Sequence, residues 1–150
     1  MKAYIITWGG YKWTTLHNDI QSLKNTKILS TEWTIAAHKQ IQVGDRFFLM
    51  KQKLKGGNSG IVGSGYFIEN PSGLHIFQGP DWKPPNKTVW KAMLSFDALL
   101  DPFNQNILDK SLADNFLQSQ PLWGYRKSGF SISDDVFRSI ESQWTHFLCY

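Results

Sequence analysis

Residues 44–69 read GDRFFLMKQKLKGGNSGIVGSGYFIE and carry the strongest strand signal in the chain. A Gly-Asp turn precedes an apolar run, which predicts a strand over 46–52. The return strand is predicted over 60–69, and its three glycines indicate β-bulges or a close approach by another chain segment. The basic, glycine-rich stretch 53–59 between the two strands is predicted to form a flexible hairpin loop.

The segments outside this hairpin complete an α+β domain. Aromatic and β-branched residues predict strands over 2–8 and 88–96, while apolar residues at helical spacing predict helices over 15–24 and 133–147. The stretch 70–87, rich in Pro and Gly, is expected to be a long, partly irregular loop. The predicted elements, about five to six strands flanked by helices, indicate a small, curved, mostly antiparallel β-barrel.

The composition excludes several classes of protein. The chain has 150 residues and no repeats, so we expect a single domain spanning 1–150. Its one cysteine, Cys149, cannot form an internal disulfide or a multi-cysteine zinc site and favours a cytoplasmic location. No run of 18 apolar residues occurs, so we expect no membrane span. The formal net charge of +4 suits a polyanionic partner such as nucleic acid.

The sequence lacks a recognisable catalytic or metal-binding motif. None of the four histidines belongs to a recognisable metal-binding motif with a carboxylate or cysteine, and no Walker or Rossmann glycine loop is present. The triplet 63–65 (GSG) resembles a shortened nucleophile elbow, but it lies inside a predicted strand instead of at a strand-to-helix turn. We therefore expect no enzyme activity, no metal ion and no cofactor.

Aromatic side chains are the most informative feature of the composition, at 15% of the residues with seven tryptophans. A buried indole needs a partner for its N–H, so tryptophan is a costly core filler. We assign Trp144 and Trp90 to the core. Trp8, Trp33 and Trp123 lie in or beside loops among basic residues and are candidates for a binding pocket.

These residue types fit the recognition of a single unpaired or flipped base. A base stacks on aromatic rings and is identified by a few hydrogen bonds to its edge, while Lys and Arg bind the phosphates. The candidate pocket residues are Trp8, Trp13, Trp33, Gln52, Ser64, Tyr66, Trp123 and Ser128. The candidate phosphate-binding residues are Lys12, Lys39, Lys51, Lys53, Lys55, Arg126 and Lys127.

Six short motifs follow one another in a fixed order along nearly the whole chain. They are WGGYKW at 8–13, Trp33, GDRFFLMKQ at 44–52, GIVGSG at 60–65, FDALLDP at 96–102 and WGYRKSGFSI at 123–132. In this order they resemble the EVE domain, a PUA-like family that is related to YTH domains. They are most similar to the EVE domains fused to HNH nucleases in modification-dependent restriction enzymes.

The resemblance implies a PUA-like fold and a reader of modified DNA. Such a reader flips a modified cytosine, 5-methylcytosine or 5-hydroxymethylcytosine, into an aromatic cage. Two segments depart from the family: GG at 9–10 replaces Asn-Pro, and YRK at 125–127 replaces the polar residues that usually precede Ser-Gly. The identity of the base stays open at these positions. No HNH segment is present, so the chain is either a stand-alone reader or the N-terminal part of a larger enzyme.

Two other functions stay open on the sequence alone. An RNA-binding module of the same superfamily would lose affinity when the 2′-hydroxyl is removed. A small enzyme or small-molecule binder that uses the same pocket would depend on Ser64 or Asp97 for turnover.

Overall fold

In the computed structural model, the described residues are 1–8, 13–35, 40–52, 59–77, 86–109 and 130–149. They form eight strands, β1 (Ala3–Trp8), β2 (Ser30–Ile35), β3 (Arg46–Lys51), β4 (Gly60–Phe67), β5 (Ser72–Phe77), β6 (Asn86–Leu99), β7 (Leu108–Asp109) and β8 (Phe130–Ile132). The two helices in these ranges are α1 (Leu16–Thr26) and α2 (Asp134–Leu148).

The eight strands form one curled sheet in the order β2-β6-β4-β3-β1-β8, with β5 beside β6 and β7 beside β4. Every pairing is antiparallel except β1 with β3, in which Ala3 lies opposite Arg46 and Trp8 opposite Lys51. Because β1 and β3 are parallel, both strands end at the same edge of the sheet. The predicted α+β class, with a curved and mostly antiparallel sheet, is confirmed.

The glycines of β4 mark places where neighbouring strands approach closely, as predicted. A Cβ on Gly65 would lie 1.9 Å from the carbonyl oxygen of Ser95. The β4–β6 register shifts between Ser64 and Gly65, and the β3–β4 register shifts between Leu49 and Met50. Bulges of this kind bend a strand and increase its twist, so they help the sheet to curl.

The two faces of the sheet carry separate cores, because successive side chains of a strand point to opposite faces. The first, which we call the α1 core, is covered by α1 and includes Tyr4, Ile6, Trp8, Leu16, Ile20, Leu23, Phe47, Leu49, Val62, Leu94 and Phe96. The second, the α2 core, is covered by α2 and includes Ala3, Ile5, Phe48, Met50, Ile61, Phe130, Val136, Ile140 and Trp144.

Helix α2 agrees closely with its prediction. Ser133 caps the helix by accepting a hydrogen bond from the backbone N–H of Val136 at 3.3 Å. Val136, Ile140 and Trp144 share the buried face. The assignment of Trp144 to the core is confirmed, whereas Trp90 is only partly buried against the α1 core.

The predicted loop over 70–87 is wrong in part. The strand β5 pairs antiparallel with the first half of β6, which begins at Asn86 and is 14 residues long. Strand β2 was not predicted, because its residues are mostly polar. Both strands depend on backbone hydrogen bonds to β6, and such long-range pairing leaves little trace in local composition.

Neither a membrane-spanning helix nor a metal-binding group is found in the part of the chain that the structure describes. No helix there is long and apolar enough to cross a membrane. The same residues contain no cluster of three His, Cys, Asp or Glu side chains that could hold a metal ion.

Candidate functional site

Three tryptophans meet at the sheet edge where β1 ends. The ring of Trp8 packs edge-to-face on Trp13, with centroids 5.5 Å apart and an interplanar angle of 90°. Trp13 in turn lies 5.6 Å from Trp33 at an angle of 52°. We call Trp8, Trp13 and Trp33 the tryptophan cluster. The sequence analysis predicts all three in one pocket, and in the structure their rings are in contact with one another through Trp13.

Hydrogen bonds fix the planes of the two outer indoles. Trp13 Nε1 donates to Asp19 Oδ2 at 2.8 Å and to Thr15 Oγ1 at 3.2 Å. Trp33 Nε1 donates to the backbone carbonyl of Thr7 at 3.2 Å, which links β2 to β1 across the opening of the curled sheet. Rings that are already oriented lose little conformational entropy when a ligand binds to them.

The three rings differ in burial. Trp8 is 1% exposed and belongs to the α1 core, whereas Trp13 and Trp33 are half-buried against that core. Trp8 therefore lies beneath the other two rings, and Trp13 and Trp33 each keep part of their surface exposed. Stacking on such a surface needs no particular hydrogen-bonding pattern in the ligand, because every base has a π face.

Lys51 and Gln52 lie at the same edge, at the end of β3. The backbone N–H of Gln52 donates to the carbonyl of Trp8 at 2.8 Å, which continues the parallel pairing of β1 with β3. Lys51 is 1% exposed, and its Nζ lies 5.8 Å from the ring centroid of Phe103. Burial lowers the pKa of the Lys51 ammonium. The structure thus places this candidate phosphate ligand beneath an aromatic ring.

The lowered pKa of Lys51 predicts a pH-dependent stability. Because the folded state disfavours the ammonium, its burial destabilises the fold below the folded pKa, and this destabilisation disappears as the pH rises to the pKa of the unfolded chain. We expect the stability of the wild type relative to Lys51→Met to rise as the pH is raised towards 10.5, the ordinary pKa of a lysine side chain. Urea unfolding of both proteins at each pH measures the difference, and a constant difference would contradict the prediction.

Phe103 is a site residue that sequence reasoning missed. Its side chain is 61% exposed, and its ring meets the ring of Trp8 edge-to-face at 6.0 Å. The sequence does contain a signal for it, since Phe103 is an aromatic residue that directly follows the segment FDALLDP at 96–102, in a polar turn. The turn after β6 carries this ring to the edge where β1 and β3 end.

Ser64 and Tyr66 lie on the α2 side of the sheet, away from the tryptophan cluster. Ser64 is fully buried, and its hydroxyl donates to Asp97 Oδ1 and accepts from Trp144 Nε1 at 2.8 Å. The ring of Tyr66 lies 4.8 Å from the guanidinium carbon of Arg46. A serine that is buried and engaged in this way holds the sheet and α2 together, and its hydroxyl offers no open approach to a substrate.

Arg46 is the centre of the polar network that contains Ser64 and Tyr66. Its guanidinium makes a bidentate contact with Glu141, at 2.8 Å for each bond, and a 2.7 Å contact with Asp97. Burial alone would lower the pKa of Arg46, but the hydrogen bonds and charges of the two carboxylates raise it above its usual value. The network therefore clamps α2 to β3 and β6.

Two open grooves in the described part of the chain lie away from the tryptophan cluster. One, of about 650 Å³, runs along α2 past Phe137 and Thr145. The other, of about 440 Å³, runs past the end of α1 and along β6, and it reaches Tyr66. Neither is lined by a tryptophan, whereas the tryptophan cluster holds two half-buried indoles in fixed orientations.

Several predicted site residues lie outside the described residues and stay predictions. They are Lys12, Lys39, Lys53, Lys55, Trp123, Arg126, Lys127 and Ser128. Four of these lysines stand in segments that come after a strand in the sequence. Segment 9–12 follows β1, segment 36–39 follows β2, and segment 53–58 comes shortly after β3.

Comparison with solved structures shows what the fold resembles. A hypothetical protein from Leishmania major has a TM-score of 0.68 at 15% identity, covering 99% of this chain and 97% of that one. The Pseudomonas syringae protein PSPTO5229 gives 0.60 at 15% identity, with 94% and 98% covered. Human THYN1, solved in complex with DNA containing 5-methylcytosine, gives 0.56 at 12% identity, with 95% and 97% covered.

At these identities the likeness shows the fold alone, an α+β, PUA-like fold with a curled sheet. No protein-family model and no curated protein matches the sequence.

Proposed function

We propose that this chain is a nucleic-acid-binding reader domain that recognises a modified base in DNA. The base, 5-methylcytosine or 5-hydroxymethylcytosine, would be flipped out of the duplex into an aromatic cage formed around the tryptophan cluster. The observation that carries the proposal is the pair of half-buried, hydrogen-bonded indoles of Trp13 and Trp33 above the buried ring of Trp8. The similar fold of THYN1, which was solved with 5-methylcytosine DNA, supports this ligand class.

The energetics of stacking fit a reader of modest selectivity. Each base stacked on an aromatic ring gains about 1–3 kcal/mol. One added methyl group in an apolar pocket discriminates by about 10- to 200-fold. The Gln52 side chain, half-buried at the end of β3, would supply a hydrogen bond to the edge of the base. The cage would thus select a cytosine that carries extra apolar surface.

Electrostatics would supply the remaining affinity. The chain carries a formal net charge of +4, and several of its lysines stand in the segments that follow β1, β2 and β3. Phosphates on either side of the flipped base would contact Lys12, Lys39, Lys53 and Lys55, with Arg126 and Lys127 as further ligands. We propose no chemistry at the base itself. A nuclease such as an HNH domain, fused or associated, would supply any cleavage.

Duplexes with one central cytosine, 5-methylcytosine or 5-hydroxymethylcytosine test the proposal by fluorescence anisotropy. We expect tighter binding of a modified duplex than of the plain one. For about four phosphate contacts, the affinity should fall by about 100-fold between about 50 and about 200 mM salt. Equal affinity for every duplex in a panel of marks would contradict base reading. A single-stranded RNA bound more tightly than the matching DNA would favour an RNA-binding module instead.

A further inference from the structure

We propose that Phe103 enters the base stack and fills the space that the flipped base leaves. The inference rests on the proposed function and adds to it a second, separate contact with DNA. Proteins that kink or open a duplex insert apolar side chains between bases in this way. A wedge of this kind needs an apolar side chain that protrudes, that is held rigidly and that lies beside the pocket receiving the base.

Phe103 protrudes from the surface. Its side chain is 61% exposed, although aromatic rings usually bury most of their area. Its ring contacts two residues of the site: the ring of Trp8 at 6.0 Å and Nζ of Lys51 at 5.8 Å. The free face of the ring is therefore available to a ligand.

A hydrogen-bonded turn holds Phe103 in place. The carboxylate of Asp101 accepts from the backbone N–H of Phe103 at 2.9 Å and from Asn104 Nδ2 at 2.7 Å. The carbonyl of Asp101 accepts from the N–H of Gln105 at 2.8 Å, and Gln105 Oε1 accepts from the N–H of Asp101 at 2.9 Å. Because these hydrogen bonds already order the turn, the ring can bind without the entropy cost of ordering a loop.

The position of the ring fits a wedge beside the cage. The buried ring of Trp8 contacts both Trp13, at 5.5 Å, and Phe103, at 6.0 Å, so Phe103 and the tryptophan cluster share one buried ring. A base that stacks on Trp13 would therefore lie near Phe103, and the gap that it leaves in the duplex would be within reach of that ring. The buried Lys51 beneath the ring adds a cation–π contact that supports this orientation.

The test compares Phe103→Ala with Val43→Ala. Val43 is a matched control, because it is 60% exposed and lies just before β3, at the edge of the sheet opposite the cluster. Both changes are at the surface, so we expect similar thermal stabilities. The probe is a duplex with one 5-methylcytosine and a neighbouring 2-aminopurine, whose fluorescence rises when its stacking is disturbed.

We expect Phe103→Ala to weaken binding of this duplex by about tenfold, which corresponds to the loss of one stacking contact. The 2-aminopurine signal on binding should also fall, while Val43→Ala behaves like the wild type. Phe103→Leu still fills the gap with an apolar side chain but cannot stack, so it should keep part of the affinity. The salt dependence should stay the same, because a neutral ring neutralises no phosphate.

Two outcomes would overturn the inference, and they differ in what they say of the proposed function. If the wild type prefers modified DNA and Phe103→Ala matches it in affinity and fluorescence, the wedge is wrong and the reader function stands. If the wild type binds none of the duplexes, the wedge fails together with the proposed function.

Discussion

Replacing Arg46 with methionine is expected to lower the free energy of unfolding by about 3 kcal/mol, near the lower end of the range for breaking a buried ion pair. Arg46 is 4% exposed and donates to Glu141, Asp97 and the carbonyl of Gly65. Without it, two carboxylates face each other across the junction of α2 with the sheet. Their side chains are 34% and 46% exposed, so water partly compensates for the loss.

Urea unfolding of Arg46→Met measures this effect, and Arg138→Met is the matched control. Arg138 also lies against a carboxylate, Asp135, but its side chain is 73% exposed. A surface ion pair contributes about 0–1 kcal/mol, so the control should unfold almost like the wild type. Equal losses in the two variants would mean that the Arg46 network does not hold α2 on the sheet.

The parts of the fold that the sequence predicts are those in which local pattern and long-range packing agree. Helix α2 has a serine cap, an acidic first turn and an apolar face, and each of these features is used in the structure. Strand β3 is apolar at its four central positions because both of its faces are buried. Strand β5 is different. It is a short segment in a stretch rich in Gly and Pro, and it forms a strand because its backbone pairs with β6, which the local sequence does not show.

A single bulge explains why two predicted pocket residues lie elsewhere. Val62 points into the α1 core, and strict alternation along β4 would place Ser64 and Tyr66 on that same side, near the tryptophans. The extra residue in the β3–β4 pairing reverses the alternation, so that Ser64 lies opposite Phe48 and Tyr66 opposite Arg46. The glycines indicated a bulge, but only the paired register shows its position.

Lys51 and Phe103 illustrate a different limit of the sequence. A lysine before a basic loop has the pattern of a solvated phosphate ligand, and a phenylalanine after a buried strand has the pattern of a core residue. The turn at the end of β6 brings the two residues together. Their burial is the reverse of what these patterns predict, because Lys51 is 1% exposed and Phe103 is 61% exposed. Contacts between residues so far apart in sequence depend on topology, which local patterns do not specify.

Trp13→Leu and Trp33→Leu are each expected to abolish the preference for modified over plain DNA. Either change removes a stacking plane, worth about 1–3 kcal/mol, so affinity for the modified duplex should fall by about 5- to 150-fold. Plain duplex is held mainly through its phosphates and should bind almost unchanged. Trp33→Phe keeps an aromatic face and loses only the hydrogen bond to Thr7, so it should retain part of the preference.

The two outer tryptophans are better test positions than Trp8. A truncation of Trp8, which is 1% exposed, would lower the stability of the fold by about 3–5 kcal/mol and confuse binding with unfolding. Trp144→Phe is the control, because it removes an indole from the α2 core on the opposite face. The control should lose stability and keep the preference. If it loses the preference to the same degree as Trp13→Leu, base recognition depends on the overall stability of the domain and not on the tryptophan cluster.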